Sequence, residues 1–483
     1  PSKSNINLWK IPFSIIINML NILCGGEMND GCLRKLNTFQ LLNFCLGFFG
    51  LQFAWQMRII LSGPVTEGLG ASPLIFGLIW LAGPVTGMVV QPIIGALSDN
   101  TQTPFGRRRP YLLLGAILAS LALWAFPNSE TIAQFIANKL HFALPAVGGL
   151  LVAAVMIWII DACVNAAQGP YRALIPDNIV PEQHSIANAY LSFAIGLGSV
   201  IAAGTAPILK KVFDYQMSVT AQFIMAALAF SLAMIWTCMT FKENSAAKGE
   251  EKPQKAKSSF IEDLKTFFKS SPEVFKICFV QFFTWIGVMS MFIFFTQFSV
   301  HTVFGIPDLS AAADSVVAKY ADLNAQATNF ASICFAVFNL ICFLVSIPIG
   351  ILSTKYGNKK VHMIAVASMA LAYILMAFTT DSRAIMALMA FAGIGWASIL
   401  SLPFAMLSEY IQKGSEGAVM GIFNIFIAGP QILVCTLLAW FISKCVFDTP
   451  AGINYHWEYT FVVGAVVLLI AAIVTYFINE KQP

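Results

Sequence analysis

Ile94-Gly95-Ala96-Leu97-Ser98-Asp99-Asn100-Thr101-Gln102-Thr103-Pro104-Phe105-Gly106-Arg107-Arg108-Arg109-Pro110 closes one apolar block of the chain and opens the next. In the second half, Ile349-Gly350-Ile351-Leu352-Ser353-Thr354-Lys355-Tyr356-Gly357-Asn358-Lys359-Lys360 does the same. Each stretch runs from an Ile-Gly-x-Leu-Ser helix end through an aromatic-Gly turn into a basic cluster. Pro170-Tyr171-Arg172-Ala173-Leu174 is likewise echoed by Pro403-Phe404-Ala405-Met406-Leu407. The echoes fall at matching places, so the chain reads as two similar halves. Such halves can rock about a central site, an arrangement typical of transporters and less needed by a channel or a membrane enzyme.

The blocks around these echoes are apolar and about 20 residues long, enough to cross a hydrocarbon core as helices. Of the 483 residues 58% are hydrophobic and 11% charged, whereas a soluble domain is about a quarter charged. The first six spans are read at 39–61, 73–97, 111–127, 144–168, 185–208 and 219–241, and the second six at 274–298, 330–352, 361–379, 384–407, 417–442 and 457–477. The expected fold is therefore an all-α membrane protein of twelve transmembrane helices. The organisation is an N-terminal segment 1–38, a six-helix bundle 39–241, a Lys-rich polar linker 242–273, a second bundle 274–477 and a tail 478–483.

Odd and even loops differ in charge. Arg107, Arg108, Arg109, the linker, Lys355, Lys359, Lys360 and Lys413 share one side, which by this alternation holds roughly twenty of the 28 Lys and Arg and is therefore cytoplasmic together with both termini. The 299–328 loop, with Asp308, Asp314 and Asp322, is then outside. In the N-terminal segment the apolar run Ile11–Cys24 is short and interrupted by Asn18 and Asn21. It reads as an interfacial helix rather than a signal-like segment. Most of the ten cysteines sit inside apolar blocks, where a thiol packs as a small hydrophobe. Cys24 and Cys32 fit no zinc spacing.

The fourth span carries the most chemistry. In Trp158–Asp177, WIIDACVNAAQGPYRALIPD, Asp161, Asn165, Gln168 and Arg172 lie within about 60° of one another on a helical wheel. A polar stripe on an apolar helix must face a cavity or the other half. A carboxylate taken out of water is costly to keep charged. Asp161 can thus hold a proton in one state and lose it in another, which would make it a coupling site. The alternative is a hydrogen bond to a neighbouring helix. Arg172 is about three turns away, too far for a direct pair unless Pro170 bends the helix.

In the first span Gln52, Trp55 and Gln56 share a face and Arg58 lies on another, where Glu67 is its expected partner. Amides and an aromatic plane suit the hydroxyls and ring C–H groups of a sugar, and helix packing explains them equally. Asn188, Ser192 and Ser199 repeat the pattern weakly in the fifth span. In the eleventh, Asn424 and Gln431 share a face and Pro430 breaks the helix. Trp285, Gln297 and Trp396 are further candidates. Asp99 and Arg107–Arg109 read as a cytoplasmic clasp between ion-paired states, with Glu409 as the matching acid of the other half. Simple charge anchoring is the other reading. No Walker loop, HExxH, GxSxG or CxxC is present, so ATP hydrolysis, metal and cofactor chemistry are not expected. No basic face interleaved with aromatics points to nucleic acid.

These motifs are recognisable as a set. Gly50–Pro64 and Trp80–Pro110 look like the first three helices of sucrose/proton symporters of the major facilitator superfamily, relatives of the glycoside–pentoside–hexuronide:cation symporters. Ile159–Leu174 is similar to that family's run around a membrane aspartate and arginine. Gly393–Tyr410 and Met420–Ile432 resemble its bacterial members, which carry sucrose, maltose and other glucosides. The resemblance covers nearly all of 39–477. It implies alternating access, proton coupling at Asp161 and a role for Arg172 in coupling or sugar binding. Two places depart from the family pattern. Phe295-Thr296-Gln297 stands where plant carriers have acidic residues, and Arg58 where they have an amide. Sodium-coupled relatives use aspartates in the second span, and 73–97 has none.

The expected function is proton-coupled symport of an α-glucoside disaccharide such as maltose or sucrose, by a monomer in the cell membrane. The partners are the sugar, the proton and the lipid bilayer. An uncoupled facilitator and a sugar-sensing receptor on a transporter scaffold are the rival readings. The residues expected on the sugar are Gln52, Trp55, Gln56, Arg58, Asn165, Gln168, Asn188, Trp285, Asn424 and Gln431.

Overall fold

The computed structural model describes residues 33–141, 147–180, 183–243, 272–309, 314–408, 410, 416–449 and 452–479. The expectations for residues 1–32, for most of the linker, and for Glu409 and Lys413 lie outside the described residues.

Among the described residues, twelve helices are long and apolar enough to cross a membrane. Because backbone groups in lipid must pair within their own segment, apolar blocks of this length fold as α1 (Thr38–Gly68), the broken pair α2 (Pro73–Trp80) and α3 (Ala82–Asn100), α4 (Arg109–Ala125), α6 (Gly148–Asn178), α7 (His184–Phe213) and α8 (Val219–Thr240). A short helix, α5 (Ser129–Leu140), continues α4 through a turn at Phe126–Asn128. The second half holds α9 (Pro272–Gln297), α10 (Asp314–Tyr356), α11 (Asn358–Ala377), α12 (Ser382–Ser408), α13 (Glu416–Leu433) with α14 (Ala439–Lys444), and α15 (Tyr459–Tyr476). Local signals set several starts. Asn37 and Gln40 form a reciprocal cap on α1, and Ser72 caps α2 ahead of Pro73.

Packing repeats between the halves. In the first half α1 packs on α8 and α7, α4 on α6 and α8, and α3 on α6. In the second half α9 packs on α15 and α13, α11 on α12 and α15, and α10 on α12. Across the seam α7 meets α10, while α3 meets α13 and α2 meets α14. The two six-helix bundles are thus related element by element, as the sequence echoes suggest.

Three features differ from the sequence reading. α10 begins at Asp314, so Asp314 and Asp322 lie on a helical extension rather than in a loop. Pro430 does not break its helix. α13 continues past it and widens into a π-type turn at Val434–Leu438 before α14. An antiparallel hairpin of β1 (Val446–Thr449) and β2 (Gly452–Tyr455) lies in what reads as a plain connection.

Candidate functional site

The polar stripe of α6 faces α1 and α3. Asp161 is fully buried, and its Oδ2 lies 2.5 Å from Nη2 of Arg58, itself fully buried on α1. Arg58 therefore pairs with Asp161 and not with Glu67. The wheel explains the difference: Trp55 and Arg58 are about 60° apart, close enough for both to face α6. The guanidinium carbon sits 4.4 Å from the ring centre of Trp80 and 5.1 Å from that of Trp55. Such stacking attracts a desolvated guanidinium to the ring faces and adds to its pairing with Asp161.

The pair is under-satisfied. Arg58 Nε and Nη1, Asp161 Oδ1, Trp80 Nε1, Ser62 Oγ and Gln56 Nε2 are buried with no hydrogen-bond partner among the described residues. Buried polar atoms are nearly always partnered, so these are the groups in the pair's surroundings with hydrogen-bonding capacity left over for a polar guest or water.

Below the pair the stripe continues as a ladder. Asn165 donates to Thr86 Oγ1 at 3.0 Å and to the Asp161 carbonyl at 2.9 Å. Gln91 donates to Asn165 Oδ1 at 2.8 Å and to Gln168 Oε1 at 3.4 Å. On α3 a Cβ at Gly83 would lie 3.6 Å from Asp161, and one at Gly87 3.6 Å from Asn165, ordinary contact distances that place both positions beside the stripe. Arg172 is on the same helix but not in the pair. It is exposed, with its guanidinium over the Phe48 ring at 5.2 Å.

The other sequence candidates divide. Gln56 accepts a bond from Asn339 on α10 at 3.3 Å, across the seam. Gln52 is half-buried, its Cβ close under Gly198 of α7. Asn424 is exposed on α13. Gln431 donates to the Ile427 carbonyl of its own helix at 3.0 Å. Asn188 lies on α7, with its side chain outside the described residues. Trp285 and Trp396 stand edge to face at 5.5 Å, and Trp285 Nε1 has no partner among the described residues. Gln297 lies at the seam, against Gly63 of α1.

The basic cluster is held by acids that the sequence reading did not pick. Arg107 and Arg108 pair with Asp177 at 2.6 and 3.0 Å. The Glu243 carboxylate accepts from the backbone N–H groups of Arg107, Arg108 and Arg109 at 2.8, 2.9 and 2.6 Å. Arg109 also donates to the Cys238 carbonyl near the end of α8. Asp177 and Cys238 belong to the same half as the arginines and Glu243 to the start of the linker that follows it. The side chain of Asp99 and all of Glu409 lie outside the described residues.

Sequence reasoning missed Thr86, Gln91, Trp80 and Asn339. Gln91 and Asn339 each stand in a strongly apolar span, a signal that could have found them.

The chain matches the model of the MFS/sugar transport protein family over residues 52–479. It is 27% identical over 440 residues to sucrose transport protein SUT2 of Oryza sativa subsp. japonica, covering 83% of this chain and 86% of that one. It is 24% identical over 481 residues to the general alpha-glucoside permease of Schizosaccharomyces pombe, covering 82% and 85%. Among solved structures, a nucleoside transporter (TM-score 0.66, 13% identity, covering 91% of this chain and 100% of that one) and a D-xylose–proton symporter (TM-score 0.61, 15% identity, 92% and 99%) share the fold. With twelve spanning helices in two related halves, the chain is a multi-pass membrane protein that belongs to the MFS/sugar transport protein family.

Proposed function

We propose that the protein is a proton-coupled symporter of an α-glucoside disaccharide, sucrose or maltose in type, working by alternating access in the cell membrane with both termini cytoplasmic. The observation that carries this reading is the buried Arg58–Asp161 pair with unpartnered donors around it. When Asp161 binds a proton, Arg58 loses its counter-charge and its guanidinium is freed. A sugar hydroxyl can then accept from Arg58, while Trp55 and Trp80 offer apolar planes to the ring. Asn165 and Gln168 extend the donor and acceptor set, and Trp285 and Asn424 face the substrate from the other half. Arg172, exposed near the basic end, donates hydrogen bonds to the sugar on its way out. When the proton leaves Asp161, Arg58 re-forms the pair and expels the sugar. The names of the relatives support sucrose and α-glucosides as the substrate class. The positive end around Arg107–Arg109 supports a cytoplasmic placement. The protein acts as a monomer and needs no cofactor.

The contacts joining the halves run from mid-membrane, at Gln56–Asn339 and Phe193–Phe343, to the end that carries Glu67 and His301. In the proposed orientation the molecule is closed on the outside. The test is the pH of a weakly buffered suspension of proteoliposomes when sugar is added. Alkalinisation with sucrose or maltose and none with an unrelated sugar alcohol supports symport; sugar entry with no pH change points to a facilitator.

A further inference from the structure

We infer that His301 and Glu67 form a second proton-binding site, at the seam between the halves, whose occupation holds that end of the molecule closed. The inference rests on the rocking motion proposed above. His301 stands in the wide turn Phe298–Val303 that ends α9, and Glu67 in the last turn of α1. The imidazole Nε2 lies 2.9 Å from the Glu67 carboxylate and Nδ1 lies 2.8 Å from the Ile306 carbonyl oxygen. The carbonyl oxygen only accepts, as does the carboxylate when ionised. A neutral imidazole has one N–H and can serve one of them; the imidazolium serves both. The ring is buried and stacks on Trp457, with centroids 5.8 Å apart and planes 17° apart.

The surrounding charges point the same way. Glu67 faces the ring from α1, Asp308 from the loop after the turn and Tyr455 from β2, and all line one cavity of about 10 Å³, room for about one water. That lining holds no lysine or arginine. Next to His301, Thr302 faces Glu458 at 3.5 Å, and Glu458 is engaged by His456 at 2.7 Å. The imidazole thus lies between the Glu67 carboxylate of one half and the Ile306 carbonyl of the other, with Asp308 of that other half lining the same cavity. Protonated, it donates to both and ties its own half to Glu67; neutral, it gives up one bond and leaves Glu67 and Asp308 without a cation between the halves, which favours parting.

This site is separate from Asp161. Glu67 is nine residues beyond Arg58, about 14 Å along a straight helix. A proton held there does not travel with the sugar. It sets which way the empty molecule faces, so acid on that side favours the closed end.

Hydrogen exchange on the full chain in lipid nanodiscs tests this, comparing about pH 5.5 with about pH 8, either side of an ordinary imidazole, after correction for chemical exchange. Opening of segments 63–72 and 298–306 is expected to be on the order of tenfold rarer at the lower pH. His301→Gln and Glu67→Gln should each erase that difference, while Asp161→Asn keeps it. The site is overturned if either variant keeps the full pH difference, or if wild type shows none although sugar moves the same segments. If neither pH nor sugar moves them in any form, the halves do not part at that end, and the rocking motion falls with the site.

Discussion

Asp161 and Arg58 bury opposite charges in the same place, and each is the other's only charged hydrogen-bond partner among the described residues. Removing one partner of such a pair leaves a buried charge alone, at a cost of roughly 3–5 kcal/mol, whereas removing both is close to neutral. Arg58→Met is therefore expected to lower the thermal unfolding midpoint in detergent strongly. Adding Asp161→Asn should restore most of the loss, and a cycle without coupling between the two would mean that they do not act as a pair. A second residue-scale prediction concerns Glu243. Three backbone N–H groups converge on its carboxylate beside Gly106, whose φ is +110° and where a Cβ would come within 2.7 Å of Glu243 Oε1. Gly106→Ala combines this clash with a backbone conformation that costs about 1–3 kcal/mol for other residues. It should lower the unfolding midpoint, and an unchanged midpoint would mean that the turn does not need glycine.

At the scale of elements, close approach between helices of different halves depends on missing side chains. A Cβ at Gly77 of α2 would collide with the Cys435 carbonyl and Ala439, and one at Gly63 of α1 with Gln297. Because the Gly77 clash is with backbone, Gly77→Val should keep the Glu67 end from closing while leaving each half folded. Sugar uptake is expected to fall at least about tenfold with sugar binding retained; normal uptake would mean that α2 and α14 need not meet in transport. The same scale shows what sequence alone could reveal. Apolar length exposed every spanning helix, because lipid imposes one solution on such a block. It did not expose the first turns of α10, since Asp314–Gln326 is polar helix beyond the apolar stretch, nor the hairpin at Val446–Tyr455, whose four-residue strands carry no long pattern. Asp161 and Asn165 stood out as polar groups on an apolar helix. Arg58 did not declare its partner, because a pair between α1 and α6 depends on how helices pack, and sequence spacing is silent about that.

At the scale of the molecule, two bundles with matching internal packing meet along two symmetric seams, α7 with α10 and α2–α3 with α13–α14. The main core cluster runs through both bundles, but the most extensive helix packing lies within each of them, so rocking about the seams breaks few contacts within a half. The Arg58–Asp161 pair lies wholly in the first half, and Gln56–Asn339 crosses to the second. A proton on Asp161 can then bias the seam through Arg58, Gln56 and the sugar between them. The direct test is uptake of radiolabelled sucrose and maltose into proteoliposomes under an inward proton gradient, for wild type and Asp161→Asn. The account predicts that wild type concentrates one of these sugars above the outside level, and that the variant exchanges it without concentrating it. Equal accumulation by the variant, or mere equilibration by wild type whatever the gradient, would contradict it.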